Sequence, residues 1–220
     1  MHLDSRYIYL ASSLEALPWI QHGFGTRLTT GWPDPGSTTT IRQVHSDRIL
    51  EAERSGCAGE GDALITDRPG LILSVRTADC LPILVADTAS QAVAAIHAGW
   101  RGTVAEITPK TVRAMMDQFG SHPEGLRVAI GPAIGPCCFE VGPEVAVQFQ
   151  KYFPERPDLA ERTCVDLVET NRRQLRQLGV PNAQIVSTRL CTCCRRDTFH
   201  SYRRDRDAAG RMVSGIAIHR

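Results

Sequence analysis

Three short apolar runs dominate the middle of the chain: Leu71 to Val75, Leu81 to Ala86 and Ala92 to Ile96. Each is too short for a helix and is bounded by turn-forming residues, the pattern of buried strands. The polar break Arg76-Thr77-Ala78-Asp79-Cys80 separates the first two, and the third ends at His97-Ala98-Gly99-Trp100-Arg101-Gly102. Cys80 and His97 therefore stand where strands meet turns. Upstream, Ile41 to His45 reads as a short strand that brings His45 to a similar edge, and Gly61 to Thr66 reads as another.

The remaining pattern alternates strands with helices. Tyr7 to Leu10 suits an edge strand. Val104, Ile107, Val112, Met115 and Phe119 recur at helical spacing before the stop at Gly120, with Pro109 dividing the first turn from the main helix. Leu126 to Ile130 reads as a strand, Gly131 to Cys138 as a loop, and Glu144 to Tyr152 and Val165 to Leu178 as helices. Ile185 to Thr188 and Met212 to Ile218 close the set as strands. Neighbouring strand pairs joined by short turns favour a mixed sheet over a purely parallel one. The length fits one domain of generous size or two small ones that share a core; no linker, repeat or low-complexity tract divides residues 1–220, and one α+β domain is the expectation.

Composition narrows the functional classes. A net charge of +1 provides no field for nucleic acid or acidic membranes, and no apolar stretch approaches the roughly 20 residues of a membrane helix. Residues Met1 to Arg6 lack a secretory layout, and eight cysteines without one point to reduced thiols in the cytoplasm.

His45, Cys80 and His97 are the leading chemical candidates. Two imidazoles and a thiolate form a three-ligand zinc set with a fourth position open, where zinc activates water at neutral pH. The same residues would also serve as a cysteine nucleophile with a histidine base, or as three unrelated structural residues. Small neighbours (Ala78, Ala98, Gly99, Gly102) favour close approach of a ligand. Asp62 and Asp79 suit either orienting a histidine or moving protons, with turn capping the plainer reading. Arg27 and Arg101 are candidates for an anionic substrate group such as phosphate.

Cys191-Thr192-Cys193-Cys194 carries a C-x-x-C spacing, and Cys137-Cys138 supplies a second pair. A structural zinc or redox pair is one reading there, and buried inert thiols are the simpler one. That cluster also sustains a different class of function, a thiol-rich metal-binding or redox module without turnover. No His-x-Glu is combined with a Pro-Cys-x-x-Cys, the paired signature of zinc deaminases of the cytidine type. Its seven scattered histidines cannot hold several coppers, although one copper would suit a His2Cys set.

Several motifs in a fixed order carry a family resemblance: RQVHSD (42–47), GDALIT (61–66), TADCLPIL (77–84), AAIHAGWRGT (94–103), AIGPCCFEVGPEV (133–145) and FHSYRRD (199–205) with the following Gly210-Arg211. Together they resemble the laccase-domain family, long described as polyphenol oxidases and now as purine nucleoside phosphorylases. The resemblance implies a four-layer α/β/β/α sandwich with mixed sheets and zinc on His45, Cys80 and His97. It implies phosphorolysis of adenosine, inosine and methylthioadenosine, with adenosine deamination as an associated activity. Purine nucleosides and phosphate are then the partners, Arg27, Gln43 and Arg101 the substrate contacts, and a monomer or homodimer the expected state. The chain departs from the family between Arg27 and Gln43, where the segment is short and lacks the usual helix.

Overall fold

The computed structural model describes residues 1–219, so Arg220, the last position of the expected domain, lies outside the described residues. Two mixed sheets face each other. One has six strands in the order Ile185–Ser187, Leu126–Ile130, Leu81–Asp87, Val93–Ala98, Ala63–Thr66 and Ile49–Glu51. Its four central strands pair antiparallel, and both edge strands pair parallel. The other has seven strands, with Ile20–Gly25, Met212–Ile218, Ile72–Thr77 and Thr38–Arg42 at its centre.

The apolar runs are continuous because the six-stranded sheet is covered on both faces. Along Leu81–Asp87, Leu84 and Ala86 point into a core shared with Leu73, Val75 and Ile216 of the opposite sheet. Leu81, Ile83 and Val85 point the other way, against Ile107, Val112, Met115 and Leu175 of the covering helices. The α+β sandwich with mixed sheets is thus as expected. Over the outer face of the seven-stranded sheet, the residues after Gly25 form a loop that lays Trp32 near Gly23 and Gly215. A Cβ built at those glycines would lie 3.3 and 3.5 Å from the indole. This is the short segment singled out in the sequence.

Element boundaries depart from expectation in instructive places. The helical window splits into Trp100–Val104 and Ile107–Phe119, but the break falls at Glu106 (φ 64°) rather than at Pro109. Pro109 sits in the first turn, where its missing N–H has no intrahelical partner to lose. The expected Glu144 to Tyr152 helix is a short Pro143–Ala146 turn of α-helix followed by the 3-10 turn Val147–Phe149. Leu167–Gln177 begins after Asp166, whose carboxylate accepts from Glu169 N. The upstream strand is Thr38–Arg42, ending before Gln43, so His45 lies on a turn and not at the end of a strand.

Candidate metal centre and substrate cavity

Strand pairing assembles the site. In the antiparallel pair of Val93–Ala98 with Ala63–Thr66, Ile96 faces Ala63, so His97 stands beside Asp62, and His97 N donates to Asp62 O at 2.7 Å. On the other side, Ala98 faces Leu81, which puts Cys80 alongside Gly99. A Cβ at Gly99 would lie 3.0 Å from Cys80 Sγ and 3.2 Å from His45 Cδ2. Gly99 is therefore where the backbone yields space to the two side chains.

His45 arrives from outside the sheet. Its φ is 59°, a left-handed conformation that costs a non-glycine residue on the order of 1–2 kcal/mol. The fully buried Asp62 carboxylate offsets this cost by accepting from Val44 N, His45 N and Ser46 N at 3.3, 3.1 and 2.6 Å, and from Ser46 Oγ at 2.7 Å. The same carboxylate accepts from His97 Nδ1 at 2.8 Å. That bond orients the His97 ring and points Nε2 toward the cluster.

His45, Cys80 and His97 bring their ligand atoms within 4.8 Å of one another. Cys80 Sγ lies 4.0 Å from His45 Nε2, and the two imidazoles meet edge to face with centroids 4.9 Å apart. Tetrahedral zinc would set sulfur and nitrogen about 3.6 Å apart, so the set fits a metal after movements of a few tenths of an ångström. His97 is buried, Cys80 half-buried and His45 exposed. Burial alone would raise the Asp62 carboxyl, but the His97 and Ser46 hydrogen bonds outweigh it and hold Asp62 at about 2. Burial would also raise the Cys80 thiol, yet the flanking histidines bring it down. Burial would lower His97, and Asp62 with Cys80 hold it up. The surroundings thus favour an ionised thiolate, the form that binds metal.

The cluster opens into a cavity of about 970 Å³. Gln43, Asp79 and Arg101 line it as well, but Arg27 does not. Arg27 instead donates from Nη1 to Arg196 O at 2.8 Å. Gln43 is engaged at both ends, accepting from Arg76 N and donating to Arg76 O at 2.8 Å each. Asp79 accepts from Thr192 Oγ1 and Arg203 N, both at 2.6 Å, so its two oxygens join distant loops.

Other lining residues were given no role in the sequence. Trp100, Phe139, Tyr202, Arg203 and Arg211 lie within the quoted motifs, whereas Arg76 and Arg206 lie outside them, and all converge here. Asp79 is the cavity's acidic residue against six arginines, counting Arg42 and Arg101. Arg76, Arg101 and Arg206 have no carboxylate partner among the described residues, and Arg101 stacks over Trp100 at 4.5 Å. Arg101 was a candidate from the sequence, but arginines are common throughout the chain, so Arg76 and Arg206 do not stand out before it folds.

The four C-terminal and loop cysteines also come together. Cys137, Cys138, Cys191 and Cys194 have sulfurs within 4.8 Å of one another. The expectation of buried thiols is corrected here: Cys137 and Cys194 are exposed, and Cys138 and Cys191 half-buried. They lie on the loop and turn behind Asp79, at the rim of the sandwich core, with Cys138 and Cys191 packed against it.

The fold and site define a class of protein: a two-sheet α+β sandwich with a His2Cys metal-capable cluster at the floor of a basic cavity. This chain belongs to the family described as multi-copper polyphenol oxidoreductase laccase, matched over residues 27–219. It is 46% identical over 165 residues to a purine nucleoside phosphorylase of Bacteroides thetaiotaomicron, an overlap covering 72% of this chain and 61% of that relative. The chain thus spans about three fifths of that relative's length. It is 38% identical over 191 residues to adenosine deaminase RL5 from an unknown prokaryote, covering 80% of this chain and 72% of the relative. The crystal structure of Bacillus licheniformis hypothetical protein YfiH superposes with a TM-score of 0.88 at 30% identity, covering 99% of this chain and 98% of the other. Among the described residues, His45, Cys80 and His97 are the one histidine-bearing group of three or more candidate ligands that assembles.

Proposed function

We propose that this protein is a zinc-dependent purine nucleoside phosphorylase acting on adenosine, inosine and methylthioadenosine, with adenosine deamination as a second activity of the same cavity. The observation that carries this reading is the His45, Cys80 and His97 cluster opening into an arginine-lined cavity with aromatic walls. The relatives' names support it, and the adenosine deaminase relative supports the second activity. Eight free cysteines support a reducing, cytoplasmic setting.

His45, Cys80 and His97 hold the metal, which supplies Lewis acidity when bound. Asp62 positions both histidines. Arg76, Arg101 and Arg206 receive the phosphate dianion, which attacks ribose C1′ as the C1′–N9 bond breaks. The purine leaves with the bonding pair and takes the proton that the attacking hydrogen phosphate gives up, yielding free base and ribose 1-phosphate. Trp100, Phe139 and Tyr202 present faces for the base. Asp79 and Gln43 brace the cavity wall, and Arg27 supports it from outside.

The test is metal content and nucleoside turnover of the wild type beside His45→Ala and Cys80→Ala. Adenosine converted to adenine only when phosphate is present, with turnover and about one zinc lost in each variant, is the expected result. Conversion to inosine without phosphate would assign deamination alone. Turnover that persists without metal while an electrophile labels Cys80 would replace the proposal with a cysteine hydrolase. Bound zinc at the C-terminal cysteines and no turnover at all would leave the non-enzymatic module.

A further inference from the structure

We propose that Cys137, Cys138, Cys191 and Cys194 form a second, structural zinc site that clamps two loops behind the cavity. Nothing in the nucleoside chemistry requires these residues, and the proposal does not depend on that reading.

The geometry is that of a tetrathiolate. Sulfurs around tetrahedral zinc stand about 3.8 Å apart, given a Zn–S bond near 2.3 Å. Here Cys194 Sγ lies 3.6 Å from Cys137 Sγ and 3.4 Å from Cys138 Sγ, with all four within 4.8 Å. One sulfur nearly equidistant from two others suits a shared metal. A disulfide would take one partner and strand the other, and all four are free thiols. The backbone is also shaped around sulfur: Gly135 N donates to Cys191 Sγ at 3.3 Å. A Cβ at Gly135 would press within 3.3 Å of Cys137 Sγ and Cys191 Cβ. Each half sits on a tight turn, closed by Cys138 N to Gly135 O at 3.0 Å and by Arg195 N to Cys191 O at 3.2 Å. Four thiols binding zinc release their protons to solvent and leave a net charge of −2. Arg195 and Arg196 follow directly in sequence, and Arg203 Nη1 donates to Cys138 O at 3.2 Å.

The position gives the site a purpose. Ile134 and Phe139, on either side of Cys137-Cys138, line the cavity. Thr192, between the other two ligands, donates to Asp79, the residue before Cys80. Ile134 N donates to Asp79 O at 2.9 Å. Ile134 and Phe139 anchor the first loop in the core, and a metal clip would tie the second loop to it at the surface.

The deciding experiment is alkylation mapping of the intact, zinc-loaded chain by mass spectrometry. Iodoacetamide should modify the exposed Cys57 freely, while Cys137 and Cys194, also exposed, react roughly tenfold or more slowly until a chelator is added. The His45→Ala chain should keep this protection, which separates the site from the histidine cluster. Cobalt(II) in His45→Ala should give intense thiolate-to-cobalt charge-transfer absorption with tetrahedral ligand-field bands, abolished by Cys191→Ser/Cys194→Ser. Equal alkylation of Cys57, Cys137 and Cys194 in the presence of zinc would overturn the proposal. So would a disulfide from Cys194 to Cys137 or Cys138 in chain handled without oxidant. If the double serine variant fails to fold, wild-type protection alone decides.

Discussion

Asp62 does more than any residue that touches the cavity. One buried carboxylate satisfies three consecutive backbone amides, a serine hydroxyl and a histidine ring. Asp62→Asn keeps the shape but replaces one accepting oxygen with a donor that faces other donors. Zinc affinity at the histidine cluster should fall about 10–100-fold, read by competition with a chromophoric chelator, while far-UV circular dichroism is preserved. Unchanged affinity would show that the His45 turn holds without its carboxylate. His22 offers a second single-residue prediction, far from the site. It is buried in Ile20–Gly25 and its Nε2 accepts from Ala11 N at 2.8 Å. Burial, with a smaller push from His2, lowers its pKa to about 4 from 6.5. Between those values the unfolded chain binds a proton that the folded chain refuses, so stability falls as pH drops from 6.5 to 4. The loss approaches about 3 kcal/mol at pH 4. Urea unfolding across that range should show it, and His22→Gln, which keeps an acceptor, should flatten that part of the profile.

At the scale of elements, the helices are tied to each other and to the site by a buried polar knot. Asn171 of Leu167–Gln177 donates to Thr103 Oγ1 at 3.1 Å and accepts from Thr108 Oγ1 at 2.7 Å. Thr103 belongs to Trp100–Val104, which begins just past the strand that carries His97, and Thr108 belongs to Ile107–Phe119. Asn171→Ala would leave both hydroxyls buried without these partners, a cost of about 2–4 kcal/mol. The urea midpoint should fall while the denaturant slope stays the same. Because this knot seats the helix that carries Trp100 and Arg101, turnover should weaken through KM more than through kcat. An equal fall in both would place Asn171 closer to the reacting atoms than the structure does.

For the whole molecule, the two sheets share one core, with Leu84 and Ala86 of one strand packed against Leu73, Val75 and Ile216. Unfolding should therefore be a single cooperative transition, seen as coincident circular dichroism and tryptophan fluorescence curves. Chelation should abolish nucleoside turnover and lower the unfolding temperature while leaving one transition, since the metal-capable clusters lie at the ends of strands and on loops outside that core. Two separate transitions would mean that the sheets fold independently. The sequence alone determined much of this. The apolar runs of Leu81 to Ala86 and Ala92 to Ile96 read as strands covered on both faces, because each is too short for a helix and is bounded by turn residues. His45, Cys80 and His97 were legible as candidates because thiol and imidazole are the side chains that bind zinc, and small residues crowd Cys80 and His97. Tertiary structure decided the rest. The joint service of Asp62 to His97 and to the His45 turn, the union of Cys137-Cys138 with Cys191 and Cys194, and the convergence of Arg76, Arg101 and Arg206 all link residues distant in sequence. A local pattern records which surfaces must be buried; it carries no information on which turns will meet once they are, since that depends on strand register and on the path of the connections.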